Sequence, residues 1–248
     1  MYTSVFRRYE LKYLLTPRQT EAVLRGIEPY MQLDRYGRTT IRNVYYDTDS
    51  YRLIRRSIEK PAYKEKLRIR SYQLATPDTA VFVELKKKYD GVVYKRRLAL
   101  PESVATDWLS GRISAPTDTQ ISREIDYFNS FYAPLSPKMF LSYEREAFYM
   151  REGGDFRVTF DDNILCRSSD ISLCKDAFGY SLLPADRRLM EIKCGGAVPL
   201  WMVKILSEEG IYKTSFSKYG RAYIDTVLHE PTVPYITYEK EITLNAVI

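Results

Sequence analysis

The sequence predicts an α+β fold, an antiparallel β-barrel tunnel of about eight strands with helices packed outside. Three observations carry that expectation. Charged and apolar residues alternate with a period of two in segment after segment. Amphipathic helical stretches lie between these segments, able to cover their apolar faces. Tyrosine, a strand-favouring residue, occurs 22 times in 248 residues.

The elements follow in order. Arg8, Glu10 and Lys12 alternate with Tyr9, Leu11 and Tyr13. Thr16-Pro17 then caps and starts a helix that runs toward Tyr30. Thr39–Asp47 alternates around Ile41, Val44 and Tyr45. Lys64, Lys66, Arg68 and Arg70 share one face of a long strand, with Leu67 and Ile69 on the other. In Ala80–Lys88, Glu84, Lys86 and Lys88 oppose Val83 and Leu85. Asp90-Gly91 is a hairpin signal, and Val92–Leu100 follows it with Lys95 and Arg97 on one face. Helices are expected over Pro101–Ser110 and Thr119–Phe131. Met139–Met150 reads as a strand carrying Tyr143 and Arg145. After a Gly153-Gly154 turn comes Phe156–Asp161, with Arg157, Thr159 and Asp161 on one face. Arg188–Lys193 places Glu191 and Lys193 together. Helices over Pro199–Glu209 and Ser217–Leu228 complete the pattern. No repeat or linker interrupts it, so residues 1–228 read as one domain and 229–248 as a tail.

Composition narrows the chemistry. The net charge of +6 is a modest bias toward anionic partners. Cys166, Cys174 and Cys194 lack metal-ligand spacing and read as free thiols in a reducing compartment. His229 is the only histidine, which argues against a histidine base or a histidine-rich metal site. The first residues show no signal-peptide pattern, and no apolar run approaches the ~20 residues of a membrane span. A cytoplasmic location is the expectation.

One charged strand face is ordinarily the solvated side of a sheet. Taken together the faces argue otherwise. If helices cover the apolar outside of a curved sheet, the charged faces point inward. Lys12, Lys64, Lys66, Arg68, Arg70, Lys86, Lys88, Lys95, Arg97, Arg145, Arg157 and Lys193 would then share a lumen. Crowded cations repel when desolvated, so such a lumen calls for a multiply charged anion. Triphosphate and polyphosphate fit. Arginine clamps phosphate oxygens in pairs and lysine acts as a mobile point charge. The carboxylates Glu10, Glu84, Asp161 and Glu191 among the cations suggest hard-oxygen ligands for Mg²⁺ or Mn²⁺.

In this order, Arg8-Tyr9-Glu10-Leu11-Lys12, Lys66-Leu67-Arg68-Ile69-Arg70, Glu84-Leu85-Lys86, Val93-Tyr94-Lys95-Arg96-Arg97, Tyr143-Glu144-Arg145, Glu191-Ile192-Lys193 and Ser215-Phe216-Ser217-Lys218-Tyr219 resemble the triphosphate tunnel metalloenzymes. The resemblance is strongest to their polyphosphate polymerase branch, like the catalytic domain of the vacuolar transporter chaperone complex. It spans about Arg7 to Tyr223. It implies that Lys12, Arg68, Arg70, Lys86, Lys95, Arg145 and Arg157 hold the phosphates, with Lys95 nearest the transferred phosphoryl, and that Lys193 orients the metal or the phosphate. Lys66 and Arg97, on the same strand faces, are further phosphate-binding candidates. The resemblance also implies that Glu191 binds the metal and that Tyr143, Ser217 and Lys218 close the far end. Glu10, one of the carboxylates among the cations, is the second metal candidate. The hydrolases and cyclases begin with Glu-x-Glu-x-Lys. Here Arg8 stands first, removing one carboxylate and arguing against two-metal hydrolysis.

Plainer readings stand beside these. Lys64–Arg70 resembles a nucleic-acid patch, but carboxylates on the same faces argue against a groove for a phosphate backbone. Glu191 and Lys193 could be a surface ion pair, Tyr143 a core-edge residue and Ser217 the N-cap of the last helix. Lys87, Lys88, Arg96 and Arg55-Arg56 include solvated charges. The preferred expectation is synthesis of inorganic polyphosphate from ATP, with ATP and polyphosphate as partners and no nucleic acid. A triphosphatase of the same fold and a non-catalytic polyphosphate-binding module are the alternatives.

Overall fold

A computed structural model describes residues 9–90, 92–229 and 235–237. Arg8, Gly91 and most of the expected tail lie outside the described residues. The elements in chain order are β1 (Tyr9–Leu15), α1 (Pro17–Ile27), β2 (Met31–Leu33), β3 (Thr39–Asp47), α2 (Arg52–Ile58), β4 (Tyr63–Ser71), β5 (Ala80–Tyr89) and β6 (Val92–Pro101). Then come α3 (Glu102–Leu109), α4 (Gln120–Phe131), β7 (Ser136–Met150), β8 (Arg157–Arg167), β9 (Gly179–Ser181), β10 (Arg188–Cys194), α5 (Leu200–Glu208), β11 (Lys213–Thr214), α6 (Lys218–Tyr223) and β12 (Tyr235–Ile236).

Local chemistry explains the boundaries. Thr16 accepts from the Gln19 amide while Gln19 returns a bond to the Thr16 amide, and Pro17 pre-sets the first helical turn. Thr119 and Ser122 make the same reciprocal pair ahead of α4. Asp90 takes a positive φ of 42° at the turn between β5 and β6, a conformation aspartate tolerates better than most residues. Gly153 and Gly154, at φ 82° and 102°, make the expected turn before β8.

The strands form one antiparallel sheet of twelve, ordered β11-β1-β10-β8-β7-β3-β4-β5-β6 along its main path. This exceeds the eight strands expected, because β2, β9, β11 and β12 have only two or three residues each and are too short to show a period. Among the described residues no ladder joins the two ends of the path. Side chains approach across that gap instead. Lys86 on β5 lies 2.9 Å from Glu10 on β1, so the sheet curls around its charged face.

The outer face carries two apolar layers. Leu67, Ile69, Val83 and Leu85 pack with Trp108 of α3 and Phe128 of α4. Tyr13, Phe160 and Ile192 pack with Val23 and Ile27 of α1 and Met202 of α5. Burying each such side chain contributes about 1.5–3 kcal/mol, which holds the charged residues of the same strands on the opposite face.

The last helix corrects the expectation that every helix packs outside. Tyr219 of α6 stacks at 4.6 Å on Tyr45, whose hydroxyl meets Arg68 on the charged face. Tyr219, Ala222 and Tyr223 join Met139, Leu141 and Ile164 in a third apolar cluster. Helix α6 therefore sits on the inner side, and its apolar surface needs that cluster. Within the expected tail, Tyr235–Ile236 pairs with β9, and Tyr235 meets Phe178 and Tyr180 edge-on. Among the described residues no helix is long and apolar enough to cross a membrane.

Candidate functional site

Register turns alternating residues into rows. Arg97, Glu84, Arg68 and Tyr45 stand opposite one another across β6, β5, β4 and β3. The next row is Lys95, Lys86 and Lys66. Across the face, Lys12 is opposite Glu191 and Glu191 opposite Thr159. Glu10 pairs in register with Lys193, and Lys193 with Arg157. Arg145 faces Asp161.

Glu84 is 1% exposed and gathers the first row. One of its oxygens accepts from Arg68 at 2.7 and 2.9 Å. The other accepts from Arg97 at 2.9 Å and lies 2.6 Å from the Lys95 ammonium. Burial alone would raise its pKa, but Arg68, Arg70 and Lys95 reverse that and hold it far below the usual carboxylate range. Asp161, fully buried, takes two bonds from Arg145 at 2.6 and 2.7 Å and one from Lys218 at 2.5 Å. Glu191 lies 3.2 Å from Lys12, 3.4 Å from Lys193, and 3.7 Å from both Arg145 and Lys218. Glu10 holds Lys86; burial opposes its ionisation, but Lys86 and Lys193 bring its pKa down to about 2.

The cations on this face outnumber these four carboxylates. Lys66 has no carboxylate partner among the described residues and donates to the Ser217 hydroxyl at 3.1 Å. Burial, then Lys86, Lys12, Lys64 and Arg68, lower its pKa to about 7. Lys95 falls to about 7 as well: burial lowers it, Glu84 raises it, and Arg70 and Arg68 lower it again. Its side chain keeps 40% of its surface in contact with solvent, so protein surrounds this ammonium without sealing it. Tyr143 is buried, and its hydroxyl accepts from Arg70 at 3.1 Å. Burial raises its pKa, and Arg70, Arg145 and Lys218 outweigh that, to about 8.

Ser217 combines two of the readings made from sequence. Its hydroxyl accepts from the Gly220 amide as the N-cap of α6, and from Lys66. Beside it, Lys12 donates to the Phe216 carbonyl at 2.6 Å. The segment before α6 thus bridges β1 and β4, strands far apart along the sheet path.

Of the expected site residues, Lys12, Lys66, Arg68, Arg70, Lys86, Lys95, Arg97, Tyr143, Arg145, Lys193, Ser217, Lys218, Glu10 and Glu191 come together on this face. Arg157 stands opposite Lys193 on the same face at the start of β8, exposed and without an ion pair among the described residues. The carboxylates expected among the cations are there, and Glu84, Asp161, Glu191 and Glu10 supply counter-charge from within the face. Glu84 and Asp161, grouped by sequence with possible metal ligands, are fully engaged by arginine and lysine. Tyr45, Asn43, Tyr72 and Phe82 also belong to the face and were not singled out. Asn43 accepts from Arg70 at 3.0 Å. Their parity with the charged residues of the same strands, carried one step beyond β4 for Tyr72, is the signal that could have found them.

Among the described residues no three acidic, cysteine or histidine side chains cluster as a metal cage. A Mg²⁺-like ion needs no such cage, because one or two carboxylates and substrate phosphates complete its shell. Glu10 and Glu191 sit on diagonal positions of β1 and β10. The hydroxyl of Thr159, opposite Glu191, is buried without a hydrogen-bond partner. This set of hard oxygen donors suits a divalent ion.

The solved structure of a candidate adenylate cyclase from Bacillus halodurans superimposes with a TM-score of 0.54 at 15% identity, over 87% of this chain and 96% of that one. A candidate adenylyl cyclase from Hippeastrum, described as having a dominant triphosphatase activity, gives 0.51 at 15% identity, over 86% and 93%. No curated protein matches the chain. At this level of identity the likeness concerns the fold alone. With a match that runs from residue 7 to residue 226, the chain belongs to the VTC domain family.

Proposed function

We propose that this chain extends inorganic polyphosphate with phosphoryl groups from ATP, inside the tunnel formed by its curled sheet. The observation that carries the reading is the register of Lys95, Lys86 and Lys66 beside Arg97, Arg68 and Arg70. Closely spaced cations on a protein-walled face match the closely spaced charges of a polyphosphate chain. The lysine contact that bridges β5 and β1 supports closure of that face into a tunnel.

In this reading a terminal oxygen of the acceptor chain attacks the γ-phosphorus of ATP. The bond from that phosphorus to the β,γ-bridging oxygen breaks, ADP leaves, and the polymer gains one phosphoryl unit. Such transfer depends mainly on positioning and charge neutralisation, with little proton chemistry. Lys95, Arg68, Arg70, Lys86 and Arg145 are the groups proposed to neutralise the charge that develops. Lys12, Lys66, Arg97, Tyr143, Lys193, Ser217 and Lys218 hold the chain. Glu84 and Asp161 fix the guanidinium groups before substrate arrives. Mn²⁺ or Mg²⁺, held by Glu191 and Glu10, would supply electrostatic neutralisation between phosphates when bound.

The test is Lys95→Ala. Losing one such stabilising group costs about 10²–10³ in rate. Polymer formation from ATP should fall by that factor while tripolyphosphate still binds within about tenfold. Polymer formation at the wild-type rate would remove Lys95 from the reacting centre.

A further inference from the structure

The face that carries Lys66, Arg68 and Arg70 continues by parity to Tyr72, just beyond β4. Phe82 stands opposite Arg70, and Ala99 opposite Phe82. The cationic rows therefore end in two aromatic rings, which meet edge to face at 5.7 Å. Arg97 fixes them. Its Nη2 donates to the Tyr72 hydroxyl at 2.7 Å, and its guanidinium carbon lies 3.9 Å from the Phe82 ring centre. The same guanidinium donates to Glu84, which gathers Arg68 and Lys95. Tyr72 is thus rigidly coupled to the phosphate-handling row, yet 42% exposed.

Inorganic polyphosphate has no flat apolar surface and gives such a ring nothing to stack on. A nucleoside does. We propose that Tyr72 is the platform on which the base of a nucleoside triphosphate stacks while its phosphates lie along Arg97, Arg70 and Arg68. This rests on the reading of the charged face as a triphosphate site. Stacking on an aromatic ring is tolerant of base identity, because every base offers a π-face. The platform therefore separates nucleoside triphosphates from inorganic tripolyphosphate and does not separate ATP from GTP.

The experiment titrates wild-type protein, Tyr72→Ala and Tyr72→Phe with ATP, GTP and tripolyphosphate, without divalent cation so that no turnover occurs. Thermal melts confirm that each variant is folded. Tyr72→Ala should weaken ATP and GTP alike by about tenfold and leave tripolyphosphate within about twofold. Tyr72→Phe, which keeps the ring and loses the bond to Arg97, should hold nucleotides nearly as well as wild type. Two results overturn the inference: an unchanged ATP affinity in Tyr72→Ala, or an equal loss for ATP and tripolyphosphate, which would mean that the ring acts only through Arg97. Wild-type protein that binds no tripolyphosphate overturns the triphosphate-site reading, and the Tyr72 platform with it.

Discussion

Lys66 and Lys95 show what one residue contributes. Both have pKa values brought to about 7 by burial and neighbouring cations, against an ordinary value of 10.5. Between pH 7 and 10.5 the unfolded chain then binds more protons than the folded one, so these lysines make the anion-free protein more stable as pH rises and less stable as it falls toward 7. A bound polyanion reverses the preference by favouring the charged lysines. Tripolyphosphate binding at pH 8 should therefore take up protons, and affinity should rise as pH falls from 9 to 7. Calorimetric titration in two buffers of different ionisation enthalpy measures that uptake; binding without proton uptake contradicts it. Glu191 yields a second prediction at this scale. Glu191→Gln should abolish metal-dependent turnover while keeping most of the tripolyphosphate affinity, because it removes a carboxylate that competes with phosphate for Lys12, Lys193 and Lys218. Full activity at saturating Mn²⁺ would take Glu191 out of the site. Period two showed which residues share a face, so the candidate cations were legible one by one. Glu84 as the hub of four cations was not, because that role depends on which strand lies beside which.

At the scale of elements, the long strands were readable and the short ones were not. Lys64–Arg70 alternates over enough positions to reveal both faces, and β4 extends beyond it by one residue at each end. Helix α2 escaped notice because its first turn rests on distant chemistry. The Asp47 carboxylate accepts from the Leu53 and Ile54 amides and from the Tyr219 hydroxyl. Helix α6 was located in sequence but assigned to the wrong side, since amphipathicity says that a face is buried and not against what. Its N-cap gives a prediction. Ser217→Ala removes the acceptor of the Gly220 amide and the partner of Lys66, and should cost about 1 kcal/mol of stability. Ser217→Thr, which keeps the oxygen, should restore most of it. Chemical denaturation of the three proteins measures the difference, and equal stability of Ser217→Ala and wild type would show that the cap contributes nothing.

For the whole molecule, the outward apolar layers and the inward charged face are two results of one alternation. The cost of crowding cations is met partly by internal carboxylates and partly, in the proposed function, by the substrate. Ligand at about 100 times Kd adds roughly 2.7 kcal/mol, which in a chain of this size is about 5–11 °C in Tm. Tripolyphosphate should give that rise and chloride of equal ionic strength much less; equal effects would mean a solvated charged face that responds only to screening.

The central claim is phosphoryl transfer from ATP to a growing polyphosphate chain. The most direct measurement incubates the purified wild-type protein with ATP and Mn²⁺ and quantifies ADP, orthophosphate and polymer in the same sample. The account predicts ADP matched by phosphoryl units in polymer, with little orthophosphate. Stoichiometric orthophosphate without polymer would contradict it in favour of a triphosphatase, and tight tripolyphosphate binding with no ATP consumed under Mg²⁺ or Mn²⁺ would contradict it in favour of a binding module.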